Sequence, residues 1–410
     1  MLHYGYVIYT NSGKEQYPHL ASRKGFQYSF STPSHRATLR NQQASVIDVV
    51  LLILGIGYAV SIIGMAVIAF AVRYSQNTAY RPRVSVIVAA RNEEANIGRC
   101  LDSFTRLTYP RELLDVIVIN DRSTDATPAI ISEFAGRHPF IRLLNAAPGE
   151  GHLVGKTNAV TQGIEASTGE VLFMTDADCS VPPGWIEQAV KYYTSPSIGL
   201  VPGFTDIRHR NMFEAMQAMD WFALFTVASA TTAIRFPVTA VGTNFTVRRA
   251  AYEATGGYRK IPFSVTEDYA LFHAVTGSTD FTARYPMDPG TLVQSEPCPT
   301  WADLFKQRKR WFSGGKGMDA KSILIFAWAW FLNLLIIVGL IAGWPGAVTA
   351  LILKAGADFV LTLPAVARFR RWEILPAFPL YELYFYFYVF LLPPIVLTGS
   401  KVVWKDRVHS

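Results

Sequence analysis

The chain is polar and patternless up to residue 45, then apolar from Val46 to Val72. From 82 to 316 it alternates short apolar runs with polar loops, and three further apolar stretches follow. The run 46–72, broken only by Asp48 and small polar residues, is long enough as a helix to cross ~30 Å of hydrocarbon. A second such run, 322–344, carries Asn333 as its strongly polar residue, and a third, 347–367, carries Lys354 and Asp358. Those two lie four apart, so a helix places them on one face, where they either neutralise each other or mark a polar site. The last stretch, 374–399, mixes Pro376, Pro379, Pro393, Pro394 and Glu382 with many aromatics. It spans, lies in the interface or re-enters, the last being tolerated only where protein or water covers the backbone.

Within 82–316 the period changes to that of strands and helices in alternation, which predicts an α/β sheet domain. Val84 to Ala90 reads as a strand, followed by the polar loop Arg91-Asn92-Glu93-Glu94 and a helix presenting Ile97, Leu101 and Phe104. Asp115 to Asn120 is the next strand and ends in Asp121-Arg122-Ser123-Thr124-Asp125; Ile141 to Leu144 is a third and Val171 to Thr175 a fourth. The apolar run 221–233 resembles a span. A single crossing there would separate Asp176 and Asp178 from Thr266-Glu267-Asp268, so a buried or interfacial helix is predicted instead.

Composition sharpens this division. Half of the 410 residues are hydrophobic and only 17% are charged, which fits a chain partly in membrane. Arg73, Arg81 and Arg83 follow the first span, and Lys306, Arg308, Lys309 and Arg310 precede the second. Basic residues mark the cytoplasmic side, so the domain between them is expected in the cytoplasm. The formal charge of +7 is carried largely at span flanks, where it suits anionic lipid and argues against nucleic acid. Cys100, Cys179 and Cys298 have no metal-site or disulfide spacing, as in a reducing compartment. Residues 1–45 are expected to be a disordered basic tail, since their apolar run begins too late for a secretory signal, and 400–410 a second basic tail.

The candidate chemistry lies at strand ends, where ligands of open α/β sheets gather. Asp176 and Asp178 are a carboxylate pair after a strand, able to hold Mg²⁺ or Mn²⁺ with positions left for substrate phosphates. Asp121 is a ligand-contact candidate, while Asp125 also suits a helix cap. Lys156 follows a glycine-containing loop at a helix start, where phosphate is favoured. Asn244 is either a turn residue or an acceptor contact, and 301–311 is a basic, aromatic, amphipathic stretch.

Val84 to Glu94, Asn120 to Asp125, Asp176-Ala177-Asp178, Thr266-Glu267-Asp268 and Gln307-Arg308-Lys309-Arg310-Trp311 together resemble the membrane-bound family 2 glycosyltransferases. The resemblance covers residues 82–316 and the flanking spans. It implies a GT-A-type nucleotide-sugar-binding sheet domain between transmembrane helices, and an inverting, metal-dependent hexosyl transfer. By this resemblance Asp121, Lys156, Asp176, Asp178, Gln307 and Arg310 serve the donor, whose implied carrier is uridine diphosphate. Asp176 and Asp178 hold the metal, Asp268 with Glu267 supplies the base, and Trp311 faces the acceptor. The implied partners are a nucleotide-sugar donor, a lipid or glycan acceptor, and the membrane. Arg122 departs from the family pattern, which has glycine after the nucleotide-binding aspartate. The small number of spans favours one transfer to a membrane lipid over a processive polysaccharide synthase. An inactive scaffold subunit should have lost one of the carboxylates, and none is missing.

Overall fold

A computed structural model describes residues 33–314, 320–397, 402–404 and 407–409. The chain divides into two compact units, Met1–Val46 and Ile47–Ser410. The first helix, α1 (Pro33–Ala71), begins inside the tail expected to be disordered. Ala37, Leu39, Arg40, Gln42, Gln43 and Ala44 are good helix formers and favour this start. The rest of that tail, residues 1–32, lies outside the described residues, as do 398–401, 405–406 and 410 at the other end.

The second unit contains the sheet. Strands β1 (Val84–Ala90), β2 (Leu114–Asn120), β3 (Ile141–Asn145) and β4 (Val171–Met174) alternate with helices α2 (Ile97–Thr105), α3 (Thr127–Arg137) and α4 (Gly155–Glu165). These four strands are parallel and stand in the order β3-β2-β1-β4. Continuous apolar runs such as Val84–Ala90 demand cover on both faces, and both are covered. Val84, Val86 and Val88 face Ile97, Leu101 and Phe104 of α2, whereas Ile87, Ile117 and Ile119 face Ala159, Val160 and Ile164 of α4.

Beyond β4 the sheet becomes mixed. After α5 (Trp185–Val190) come β5 (Ile198–Leu200), β6 (Thr205–Ile207), the long helix α6 (Met212–Ala233) and β7 (Phe245–Arg248). Strand β7 runs antiparallel to β4 and carries β5 on its other side; α7 (Arg249–Ala254), α8 (Glu267–Ser278) and β8 (Thr282–Ala283) complete the edge. β6 pairs with β9 (Val293–Ser295) in a separate two-stranded sheet.

The apolar run in α6 is buried core. It packs on α11 (Pro345–Phe369) and α12 (Phe378–Leu397), reached through α9 (Trp301–Gly314) and α10 (Ala320–Ile341). α12 is one continuous helix despite its prolines; Pro379 falls in its first turn, where no backbone donor is needed. Strands β10 (Val402–Trp404) and β11 (Arg407–His409) form a hairpin after it. Among the described residues, Val46–Ala71 and Pro345–Phe369 are the helical stretches long and apolar enough to cross a membrane.

Helices α1, α10 and α11 pack through Leu51, Tyr58, Leu332, Ile336, Ala347 and Ala350. Inside the bundle Lys354 is fully buried, bonded at 2.7 Å to Asp358 and at 2.7 Å to Glu382. Tyr58 donates to Asp358 at 2.7 Å, so one ionic cluster joins α1, α11 and α12. The turn between α11 and α12 is tied to β6 by Arg371 and the buried Asp206, 2.7 Å apart.

Candidate active site

Because β1, β2 and β4 are parallel, their carboxyl ends lie along one edge of the sheet. Asp121, just past β2, is almost fully buried; its N–H donates to Ala90 O at 2.8 Å and its carbonyl accepts from Arg91 at 2.9 Å. Arg122 has φ of 57°, the left-handed region. The position where the sequence departs from glycine therefore adopts the backbone glycine takes freely, at a cost of about 1 kcal/mol for a side-chain-bearing residue. The neighbouring loop locks the turn. Asn92 accepts from Thr124 N at 2.9 Å, and the Asp125 carboxylate accepts from Glu94 N at 3.1 Å and Thr127 N at 3.0 Å. Asp125 is thus spent on joining two loops and opening α3.

The turn after β4 carries Asp176. Lys156, on the first turn of α4, reaches across to it at 2.6 Å and to Glu267, on the first turn of α8, at 2.7 Å. Burial alone would lower the Lys156 pKa, but the charges of Asp176, Glu267 and Asp268 outweigh it and hold the amine protonated. Asp268 accepts from the N–H of Gly242 and, at 2.8 Å, from Tyr269 N. A Cβ at Gly242 would lie 3.0 Å from the Asp268 carboxylate, so the glycine permits this close approach. The turn bearing Gly242 is fixed by Thr243, whose carbonyl accepts from Thr175 Oγ1 at 2.7 Å and whose hydroxyl shares a 2.8 Å bond with Thr205. Desolvation, reinforced by Glu267 and only partly opposed by Lys156, raises the Asp268 pKa to about 6.

Lys156, Asp176, Gly242, Glu267 and Asp268 line one hollow; Lys156, Glu267 and Arg310 line an adjoining one. Five of the expected site residues are thereby brought together. Asp121 and Asp178 are on turns at the same sheet edge, where the Asp178 carbonyl accepts from Arg99 at 2.9 Å and its carboxylate from the Cys179 thiol at 3.5 Å.

Asn244 sits deeper than the other candidates. It is 1% exposed, donates to Phe204 O at 2.8 Å and Thr291 O at 2.7 Å, and accepts from Trp185 at 3.0 Å. That amide is committed to the framework, in keeping with the turn reading of the two left open.

In α9, Gln307 accepts from Arg308, and Trp311 packs against Trp221 of α6 with ring centroids 5.5 Å apart. Arg308 was not singled out by sequence and proves central to this helix. It is 2% exposed, pairs with Asp220 of α6, donates to Tyr384 of α12 at 2.9 Å and lies 4.2 Å over the Trp311 ring. The available signal was Asp220, an acid beside the apolar run of α6 that needs a cation. Arg310 reaches the Val265 carbonyl at 3.4 Å.

Among the described residues, no group of three or more His, Cys, Asp or Glu could hold a metal by itself. The pair Asp176 and Asp178 offers oxygen donors only, which suits Mg²⁺ or Mn²⁺ completing its shell with water and phosphate oxygens. By the chemistry of their donors these two residues fit such an ion.

This mostly parallel sheet, with carboxylates at its strand ends, is like that of GT-A glycosyltransferases. Residues 171–399 match the model for glycosyl transferase family group 2 and residues 85–256 that for glycosyl transferase family 2. The chain belongs to the family 2 glycosyltransferases. It is 28% identical over 57% of its length to beta-monoglucosyldiacylglycerol synthase of Synechocystis sp., covering 48% of that protein. It is 27% identical over 57% of its length to poly-beta-1,6-N-acetyl-D-glucosamine synthase of Staphylococcus epidermidis, covering 54%. The chain therefore spans about half the length of these curated relatives. In fold it resembles the mannosyltransferase PcManGT of Pyrobaculum calidifontis, solved with GDP-Man and Mn²⁺, with a TM-score of 0.56 at 22% identity over 83% of this chain and 99% of that one.

Proposed function

We propose that the chain is an inverting, membrane-spanning hexosyltransferase that moves a hexose from a nucleoside diphosphate sugar to the hydroxyl of a membrane lipid. The observation that carries this reading is Asp268, a carboxylate with its pKa raised to about 6 in the same hollow as Lys156 and Asp176. Such a group is ionised at neutral pH and basic enough to take a hydroxyl proton in the transition state. As the acceptor oxygen attacks C1, Asp268 receives its proton. The bond from C1 to the diphosphate breaks with its electron pair on the leaving oxygen, and C1 inverts. Lys156 and Arg310 face the negative charge that develops there. Asp176 and Asp178 would hold Mg²⁺ or Mn²⁺, which supplies Lewis-acid stabilisation of the leaving diphosphate when bound.

The lipid acceptor is supported by the packing of α6 and α9 directly on the apolar helices, and by the relative named for a glucosyldiacylglycerol. Outward-facing Val49, Ile53, Val60, Val67 and Phe70 give α1 a surface suited to lipid. Arg73, Arg81 and Arg83 after α1 favour a cytoplasmic domain.

The test uses the full chain in lipid nanodiscs with Mn²⁺, labelled uridine and guanosine diphosphate sugars, and a total lipid extract. Label in a small organic-soluble product is expected. Label in a high-mass, water-soluble product would instead establish a polysaccharide synthase, the reading favoured by the poly-N-acetylglucosamine relative.

A further inference from the structure

The cavity has a cation of its own. Lys156 Nζ lies 2.6 Å from Asp176 and 2.7 Å from Glu267, bridging the turn after β4 and the start of α8 from its own position on α4. Three carboxylates, Asp176, Glu267 and Asp268, act on this one ammonium. A divalent ion arriving alone at Asp176 would sit beside that ammonium, and like charges at such distances repel strongly.

Resting on the metal reading above, we propose that Lys156 is a resident counter-ion: it occupies the cation position on Asp176 until a nucleoside diphosphate arrives, so metal and nucleotide bind as a coupled pair. The diphosphate gives Lys156 new partners at the N-terminus of α4, where phosphate is favoured. Asp176 is then released to the metal. Glu267 stays with the ammonium throughout, being 7% exposed and held at a helix start. It is a positioning residue in this scheme, keeping Lys156 inside the cavity while its other partner changes. Linkage makes the coupling reciprocal: nucleotide tightens metal, and metal tightens nucleotide.

The experiment measures Mn²⁺ binding to the full chain in nanodiscs by electron paramagnetic resonance, with and without uridine or guanosine diphosphate. Wild type should bind Mn²⁺ weakly alone and at least roughly tenfold more tightly with nucleoside diphosphate. Lys156→Gln should bind Mn²⁺ alone about tenfold more tightly than wild type, yet gain less from nucleotide. A merely structural lysine would not move these two affinities in opposite directions. Lys156→Arg, which keeps the charge, should bind Mn²⁺ alone as weakly as wild type. If nucleoside diphosphate recruits Mn²⁺ to both proteins but Lys156→Gln binds the ion alone no better, the counter-ion role is overturned and the metal reading stands. If Mn²⁺ binds to neither protein under any condition, the metal reading fails and takes the counter-ion with it. Should Lys156→Gln not fold, wild type alone decides: Mn²⁺ bound equally well with and without nucleotide refutes the coupling.

Discussion

Two lysines in this molecule each bridge two carboxylates at nearly the same distances, in very different surroundings. Lys156 joins Asp176 and Glu267 across a cavity, on three elements whose contacts are loop ends and helix starts. Lys354 joins Asp358 and Glu382 inside a helical bundle and is wholly inaccessible. Identical chemistry therefore serves opposite ends. The first cluster opens onto a hollow into which competing charges can enter. The second is closed: its charges face each other, the Tyr58 hydroxyl, and the rings of Phe385 and Tyr386 that lie under Lys354. What distinguishes a site from a strut here is access, not composition.

The sharpest contrast concerns Asp268, which stands beside the first cluster and has no counterpart in the second. Asp268→Asn should lower transfer by about 10³-fold, within the range for a lost general base, while nucleotide binding and melting temperature stay near wild type. Retained turnover would remove the base from the mechanism.

Next in size is Lys354→Met. It leaves Asp358 and Glu382 without their cation and should destabilise the protein by ~3–5 kcal/mol. Thermal unfolding in nanodiscs checks this, and an unchanged melting temperature would show that the bundle cluster is dispensable. Lys156→Met should do the reverse, losing activity about 10²-fold with a melting temperature within a few degrees of wild type. Equal destabilisation by the two substitutions would erase the distinction between the clusters.

The gentlest test is pH. The raised pKa of Asp268 means that its carboxyl holds a proton below about pH 6 and is free to accept one above it. Transfer at low substrate should therefore rise with pH through that region and level off, with about a tenfold loss per unit on the acid side. In Asp268→Asn the residual rate should lack this limb.

How far these features were legible in sequence depends on the distance over which their partners act. The parallel strands were legible because each is an apolar run ending in turn residues, as Val84–Ala90 and Val171–Met174 show. The carboxylates were legible because strand ends are where such sheets place their chemistry. The Lys354–Asp358 pair followed from helical spacing, but Glu382 lies 28 positions further on, in another helix, and spacing could not connect it. Arg308 and Asp220 are 88 positions apart, so only the fold shows that this arginine, within a run of basic residues, is the buried one. Asn244 could not be placed from sequence because a buried amide and an exposed one look alike when their partners, Phe204, Thr291 and Trp185, come from separate segments.

Arg308 also has a mechanical consequence. It is bonded at once to α6, which belongs to the sheet domain, and to α12, and it covers the ring of Trp311. A buried guanidinium cannot leave either partner cheaply, so α9 acts as a rigid spacer between the apolar helices and the cavity wall bearing Arg310. On the membrane reading, the height of the site above the bilayer is then set by protein bonds rather than by lipid. On the proposed lipid acceptor, reach would then become a criterion of selection: a hydroxyl would be served according to the depth at which its carrier displays it, and two lipids with the same reactive group need not be equivalent.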